Sequence, residues 1–142
     1  MLESGTTAPV VCAVVLAAAS VFGVWRRGSG GRLKVRGRDA GRRLGADELG
    51  AELGERATLV QFSSAFCQPC RATRRILAEV TGMVDGVTHV EIDAEERLAL
   101  VRELGILRTP TVLVLDADGR IVTRASGQPR RADVIAALGQ AV

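Results

Sequence analysis

The sequence predicts an α/β fold, a mixed central sheet with helices on both faces, preceded by one N-terminal transmembrane helix. Three observations predict it. From Ser4 to Trp25 there is no charged side chain. Beyond residue 46 the hydrophobic period alternates between that of a helix and that of a strand, in the order α-β-α-β-α-β-β-α. Two β-rich runs flank Asp116-Ala117-Asp118-Gly119, a hairpin turn signal, so part of the sheet is antiparallel.

The 142 residues have room for one ordinary domain plus an appendage. We divide them into a tail (1–7), a transmembrane helix (8–25), a basic, Gly-rich juxtamembrane linker (26–45) and a folded domain (46–142). Eighteen helical residues span roughly 27 Å, close to the hydrocarbon thickness of a bilayer. Trp25 suits the interfacial belt, and Arg26 and Arg27 can snorkel into headgroups. Ala17-Ala18-Ala19 resembles a signal-peptide cleavage site, but a signal peptide wants positive charge ahead of its apolar region, and Glu3 is the only charge there. Between Arg26 and Arg43 eight basic residues face one acid, Asp39. The positive-inside rule then places the domain in the cytoplasm, on a single-pass anchor in the cell membrane. The six glycines from Gly28 to Gly45 make the linker flexible, and membrane lipid is the expected partner of residues 8–43. No nucleic-acid role is expected, because the basic stretch lacks interleaved aromatics. Cys12 reads as a small hydrophobe within the span.

Asp47 to Leu53 reads as a short helix and Thr58 to Phe62 as a central strand. Ala72, Ile76, Leu77 and Val80 form a helical stripe across Arg71 to Val80, which Gly82 can close. Val87 to Ile92 is the next strand, followed by a helix from Glu95 to Leu104 that Gly105 stops. Thr111 to Leu115 and Ile121 to Ala125 form the hairpin. Pro129 opens a last helix through Val134, Ile135 and Leu138. Aromatics are limited to Phe22, Trp25, Phe62 and Phe66, so the core is aliphatic.

The chemistry concentrates in Phe66-Cys67-Gln68-Pro69-Cys70, between a strand and a helix. Two thiols separated by two residues at such a junction suit dithiol–disulfide exchange. Zinc sites use the same spacing, but one chain offers only Cys67, Cys70 and the distant His89, short of four ligands unless two chains share a metal, so no metal is expected.

From about Asp47 onward, roughly two thirds of the chain, the sequence resembles the thioredoxin family. The likeness rests on four features in order: the CxxC between strand and helix, Thr109-Pro110 directly before a strand and 40 residues beyond Cys70, the Asp118-Gly119 hairpin, and Gly127 before the last helix. The resemblance implies a thioredoxin-like fold and a protein-disulfide reductase acting through a Cys67–Cys70 redox pair, with no other cofactor. Cys67, at a helix N-terminus whose free amides and dipole stabilise a thiolate, is the expected nucleophile, and Cys70 the resolving thiol. Phe66, Gln68, Pro69, Thr109, Pro110 (cis in the family) and Gly127 are the expected substrate contacts. The implied partners are disulfide-bonded proteins and an upstream dithiol or reductase that donates electrons.

The sequence departs from the family in several places. Phe66 replaces the usual tryptophan, Gln68 the usual glycine, and Gln61 a buried aspartate that takes the resolving thiol's proton. An amide cannot do that. His89 stands where the family has a buried lysine, and Arg75 where it has a kink proline. Arg71, Arg74 and Arg75 read as a solvated face whose charge favours a thiolate or acidic partners. Two alternatives stay open: with the topology reversed, an extracytoplasmic protein of the cytochrome-maturation type, and, given Gln61 and the absent tryptophan, a low-activity binding or scaffold protein. The departures also lead us to expect a specialised client.

Overall fold

The structure, a computed structural model, describes residues 4–29, 33–34 and 39–142. The chain divides into two units, residues 1–30 and 31–142. The described residues of the first form one helix, α1 (Ser4–Ser29), longer at both ends than the expected 8–25. Its apolar window, Thr7–Trp25, is long and uncharged enough to cross a membrane, and a signal sequence has the same character. Its valines are exposed along its length, with Phe22 and Trp25 ring centroids 6.1 Å apart.

The second unit is a five-stranded mixed sheet in the order β1-β5-β4-β2-β3. Its strands are β1 (Leu33–Lys34), β2 (Ala57–Ser63), β3 (Val87–Asp93), β4 (Thr111–Asp116) and β5 (Ile121–Ser126). Only β2 and β3 run parallel, with Leu59 opposite His89 and Gln61 opposite Glu91. The hairpin is as expected: Asp116 Oδ1 accepts from the amides of Asp118 and Arg120, closing the turn between β4 and β5.

Four helices cover the sheet: α2 (Ala46–Leu49), α3 (Gln68–Met83), α4 (Leu98–Leu104) and α5 (Arg131–Ala141). Because side chains alternate along a strand, β2 sends Leu59 to one face and Val60 and Phe62 to the other. Leu59, Val112 and Val114 pack with Leu77 and Val80 of α3 and with Val134 and Leu138 of α5. Val60, Phe62, Leu113 and Leu115 pack with Leu49, Leu100 and Leu104 on the opposite face. Helices on both faces of a mixed sheet are therefore the observed architecture.

Several element boundaries move. The helix expected to reach Leu53 stops at Leu49, where Gly50 adopts a left-handed conformation. The helix expected from Arg71 begins at Gln68 and passes through Gly82 to Met83. The helix expected from Glu95 begins at Leu98, because the Asp93 carboxylate captures the Glu95 amide in a turn.

The linker expected over residues 26–45 is corrected more substantially. Leu33 and Lys34 pair antiparallel with Ala125 and Arg124, adding an edge strand. Asp39 and Leu44 are buried, and Asp39 Oδ1 accepts from Arg124 at 2.7 Å. Leu44 N donates to Gly119 O at 2.9 Å, and Ile121 N to Arg42 O at 3.0 Å. Gly119 is required here: its φ is +81°, and a Cβ on it would lie 2.4 Å from Leu44 O. Residues 39–45 thus belong to the domain. Residues 30–32 and 35–38 of the expected linker lie outside the described residues.

Candidate active site

The strand β2 delivers its chain to the C-terminal edge of the sheet, the end at which open α/β sheets place ligands. Ser64, Ala65 and Phe66 make the loop into α3. Phe66 has φ +56°, in the left-handed region, and is fully exposed. The turn it makes leaves Cys67 extended (φ −98°, ψ 101°) as the N-cap of α3. Pro69 has no amide hydrogen, so the first-turn donor aimed at the cap is Cys70 N–H, which reaches Cys67 Sγ at 3.2 Å. Cys67 and Cys70 are joined as a disulfide with Cα atoms 5.2 Å apart. Cys67 is half-buried, whereas Cys70 is only 2% exposed. Gln68 and Pro69 are exposed between them.

Two further loops meet this one. The Thr109–Pro110 peptide is cis, as the resemblance implies. Ser64 and Thr109 share a hydroxyl–hydroxyl hydrogen bond of 2.7 Å, which ties the cysteine loop to the proline loop. Gly127 N donates to Pro110 O at 2.7 Å, and Arg108 Nη2 donates to Ser126 O at 2.5 Å, tying in the loop before α5. Gly127 has φ +97°, which only glycine adopts without strain. The eight residues singled out from the sequence therefore lie on three hydrogen-bonded loops or, for Gln68, Pro69 and Cys70, in the first turn of α3. Sequence reasoning missed Ser64 and Arg108, whose roles depend on contacts 45 and 18 positions away along the chain.

Beneath the dithiol, Gln61 is fully buried and every polar group on its side chain is used. Its Nε2 donates to Cys70 O and to Ser63 Oγ, both at 2.9 Å. Because a carbonyl can only accept, the amide orientation is forced and Oε1 faces His89 Nε2 at 3.1 Å. His89 must therefore carry its proton on Nε2. Burial pushes the His89 pKa below its usual 6.5, against the opposing pull of Glu91 and with a smaller push from Arg74. Ser63, with its oxygen occupied by Gln61, donates to Glu91. Arg74, expected on a solvated face whose charge favours a thiolate or acidic partners, instead holds Glu91 through two bonds of 2.6 and 2.5 Å. That fork holds the Glu91 carboxyl below its usual 4.5, with partial burial working against it and Ser63 assisting. Gln61 and Ser63 share one face of β2, a parity readable from sequence, but the register that brings His89 of β3 to the same face was not. The helix α3 runs unbroken past Arg75. A polar cavity of about 440 Å³ opens beside the cysteine loop, lined by Ser63, Ser64, Ala65, Arg74, Glu91, Asp93 and Glu96. Among the described residues, no group of three or more His, Cys, Asp or Glu could hold a metal ion.

Residues 48–142 match the family described as "Thioredoxin-like domain". Thioredoxin of Bacillus subtilis is 33% identical over 84 residues, 58% of this chain and 80% of that one. "Thioredoxin domain-containing protein 2" of Homo sapiens is 37% identical over 60 residues, 42% of this chain but 11% of the human protein. Among solved structures, a chloroplastic thioredoxin z superposes with a TM-score of 0.54 at 28% identity, over 61% of this chain and 78% of that one.

Proposed function

This chain belongs to the thioredoxin-like family, and from that premise we propose that it is a membrane-tethered thiol–disulfide oxidoreductase that reduces protein disulfides. The membership and a cysteine pair at disulfide distance support the general activity. One observation carries the finer assignment: Cys67 Sγ caps α3 and accepts the Cys70 amide, with Cys70 buried one turn behind it. A thiolate at that cap gains the helix dipole and an amide donor. In such settings a cysteine pKa falls from about 8.5 to roughly 3.5–7.5.

The reduced protein works in two exchanges. Cys67 thiolate attacks one sulfur of the client disulfide, forming a Cys67–client bond and releasing the other client sulfur as a thiolate. Cys70 then attacks Cys67 Sγ, closing the protein disulfide and releasing the second client sulfur. Gln61 cannot take the Cys70 proton, so it passes to the client thiolate released in the first exchange. Two electrons move from protein to client, and an upstream dithiol returns them. Phe66, Gln68, Pro69, Thr109, Pro110 and Gly127 present the surface on which the client lies. No cofactor beyond the dithiol takes part. The helix α1 is the membrane anchor, the basic residues that follow it ahead of the domain meet anionic lipid, and the domain faces the cytoplasm.

Insulin reduction by the full chain in detergent tests the chemistry. Cys67→Ser is expected to abolish it and Cys70→Ser to accumulate mixed disulfides. Unchanged turnover in both variants would sink the proposal in favour of a binding protein. Orientation is tested by adding Gly30→Cys to a Cys12→Ser background and applying an impermeant thiol reagent to intact cells. Protection is expected, and labelling would place the domain outside.

A further inference from the structure

The rim of the dithiol is charged unevenly. On the β3 side lie Asp93 and Glu96, in the wall of the polar cavity that also includes Ser64 and Ala65. The cation in that wall, Arg74, is already taken by Glu91. On the other side stands Arg108, immediately before the cis Thr109–Pro110 peptide. One of its amino groups is spent on Ser126 O, which holds the guanidinium across the gap between the proline loop and the loop carrying Gly127. Its remaining donors are free to act outward, because the residue is exposed and is in none of the ion pairs among the described residues. Arg71, directly after Cys70, is likewise exposed and outside those pairs. By contrast, Arg42, Arg74, Arg124 and Arg131 are each bonded to a carboxylate.

A guanidinium held by one bond loses less freedom when it forms the next, and its planar fork matches a carboxylate. We propose that Arg108 selects clients that carry a carboxylate flanking the disulfide, steering that group away from Asp93 and Glu96. The inference rests on the oxidoreductase reading. It defines the client class as acidic segments around a cystine, with Arg108 as the residue that recognises them and Arg71 adding to the field.

The test uses pre-reduced full chain in detergent and two peptides with the same disulfide, flanked by Asp in one and Asn in the other. Single-turnover rates are followed by trapping free thiols. The acidic peptide is expected to react faster by roughly three- to tenfold, a gap that narrows as salt screens the exposed charge. Arg108→Gln should bring the ratio of the two rates close to one, and Arg108→Lys should retain part of it. A purely structural role for the Ser126 bond would slow both peptides alike and leave the ratio intact. An equal ratio in the parent, or one that Arg108→Gln does not change, overturns the proposal while turnover itself persists. Failure to oxidise with either peptide overturns the oxidoreductase reading along with it.

Discussion

Two polar clusters are buried in the domain, on opposite faces of one sheet, and they are built in opposite ways. Gln61, under α3, is neutral and complete: its three side-chain bonds reach Cys70, Ser63 and His89. Arg124 lies opposite Leu113 on the other face, joined to Asp39 by a single bond of 2.7 Å. That pair is charged and incomplete, since Asp39 Oδ2 and Arg124 Nε have no hydrogen-bond partner among the described residues. A neutral network that satisfies every group costs little to bury, so it can support the dithiol without destabilising the fold. A buried ion pair recovers its desolvation cost only with full hydrogen bonding, and this one lacks it. The contrast suggests separate duties. Gln61 sets the shape and field under Cys70, whereas the Asp39–Arg124 pair fixes where the segment leading from Asp39 into α2 lies on the sheet.

The largest expected effect breaks the charged cluster from one side. Asp39→Ala leaves Arg124 buried and unpaired, and should lower the free energy of unfolding by about 3–5 kcal/mol. Replacing both partners, Asp39→Leu with Arg124→Met, should recover most of that loss. Urea midpoints for the two variants check the comparison, and equal losses in both would mean that the pair stabilises by itself.

A middle-sized effect is expected from the neutral cluster. Gln61→Leu keeps the volume but removes a bond to Cys70 O and strands His89 Nε2, a cost of about 1–3 kcal/mol. The reduction potential in glutathione buffers should move with it, whereas the Asp39 variants should leave the potential where it is. A potential unaffected by Gln61→Leu would remove the distinction drawn between the clusters.

The smallest effect is a pH dependence. His89 has a folded pKa below its unfolded value near 6.5, so the unfolded chain binds more protons between the two values and stability rises with pH across that window. The contribution is complete above about 6.5 and is lost as pH falls toward the folded value. His89→Gln keeps a donor for Gln61 Oε1 but does not titrate, so its loss between about pH 7.5 and about pH 5 should be smaller than the parent's. Glu91, whose pKa is lowered, adds a loss at more acid pH in both proteins. Parallel urea curves for the two chains would show that His89 does not titrate in this way.

Much of this could be read locally. The apolar window, the strand periods, the Asp116–Gly119 turn and the cysteine pair are patterns within a few residues, where alternation and turn chemistry act directly. The thioredoxin-like family follows from their order. Helix ends were less legible, because they depend on individual captures such as Asp93 holding the Glu95 amide. The basic, glycine-rich composition of residues 26–45 reads as a linker, and nothing local reveals that Leu33 pairs with Ala125 or that Asp39 meets Arg124, 85 positions away.

The sequence by itself determined the strand–helix junction that carries Cys67 and Cys70, the proline before β4 and the apolar helix, because each is set by neighbours along the chain. Tertiary structure alone decided how Gln61 is satisfied, which arginines are paired, and that Arg108 reaches Ser126. Those outcomes depend on which distant groups the sheet register brings within 3 Å or so of one another, and hydrogen bonding and desolvation act only at that range.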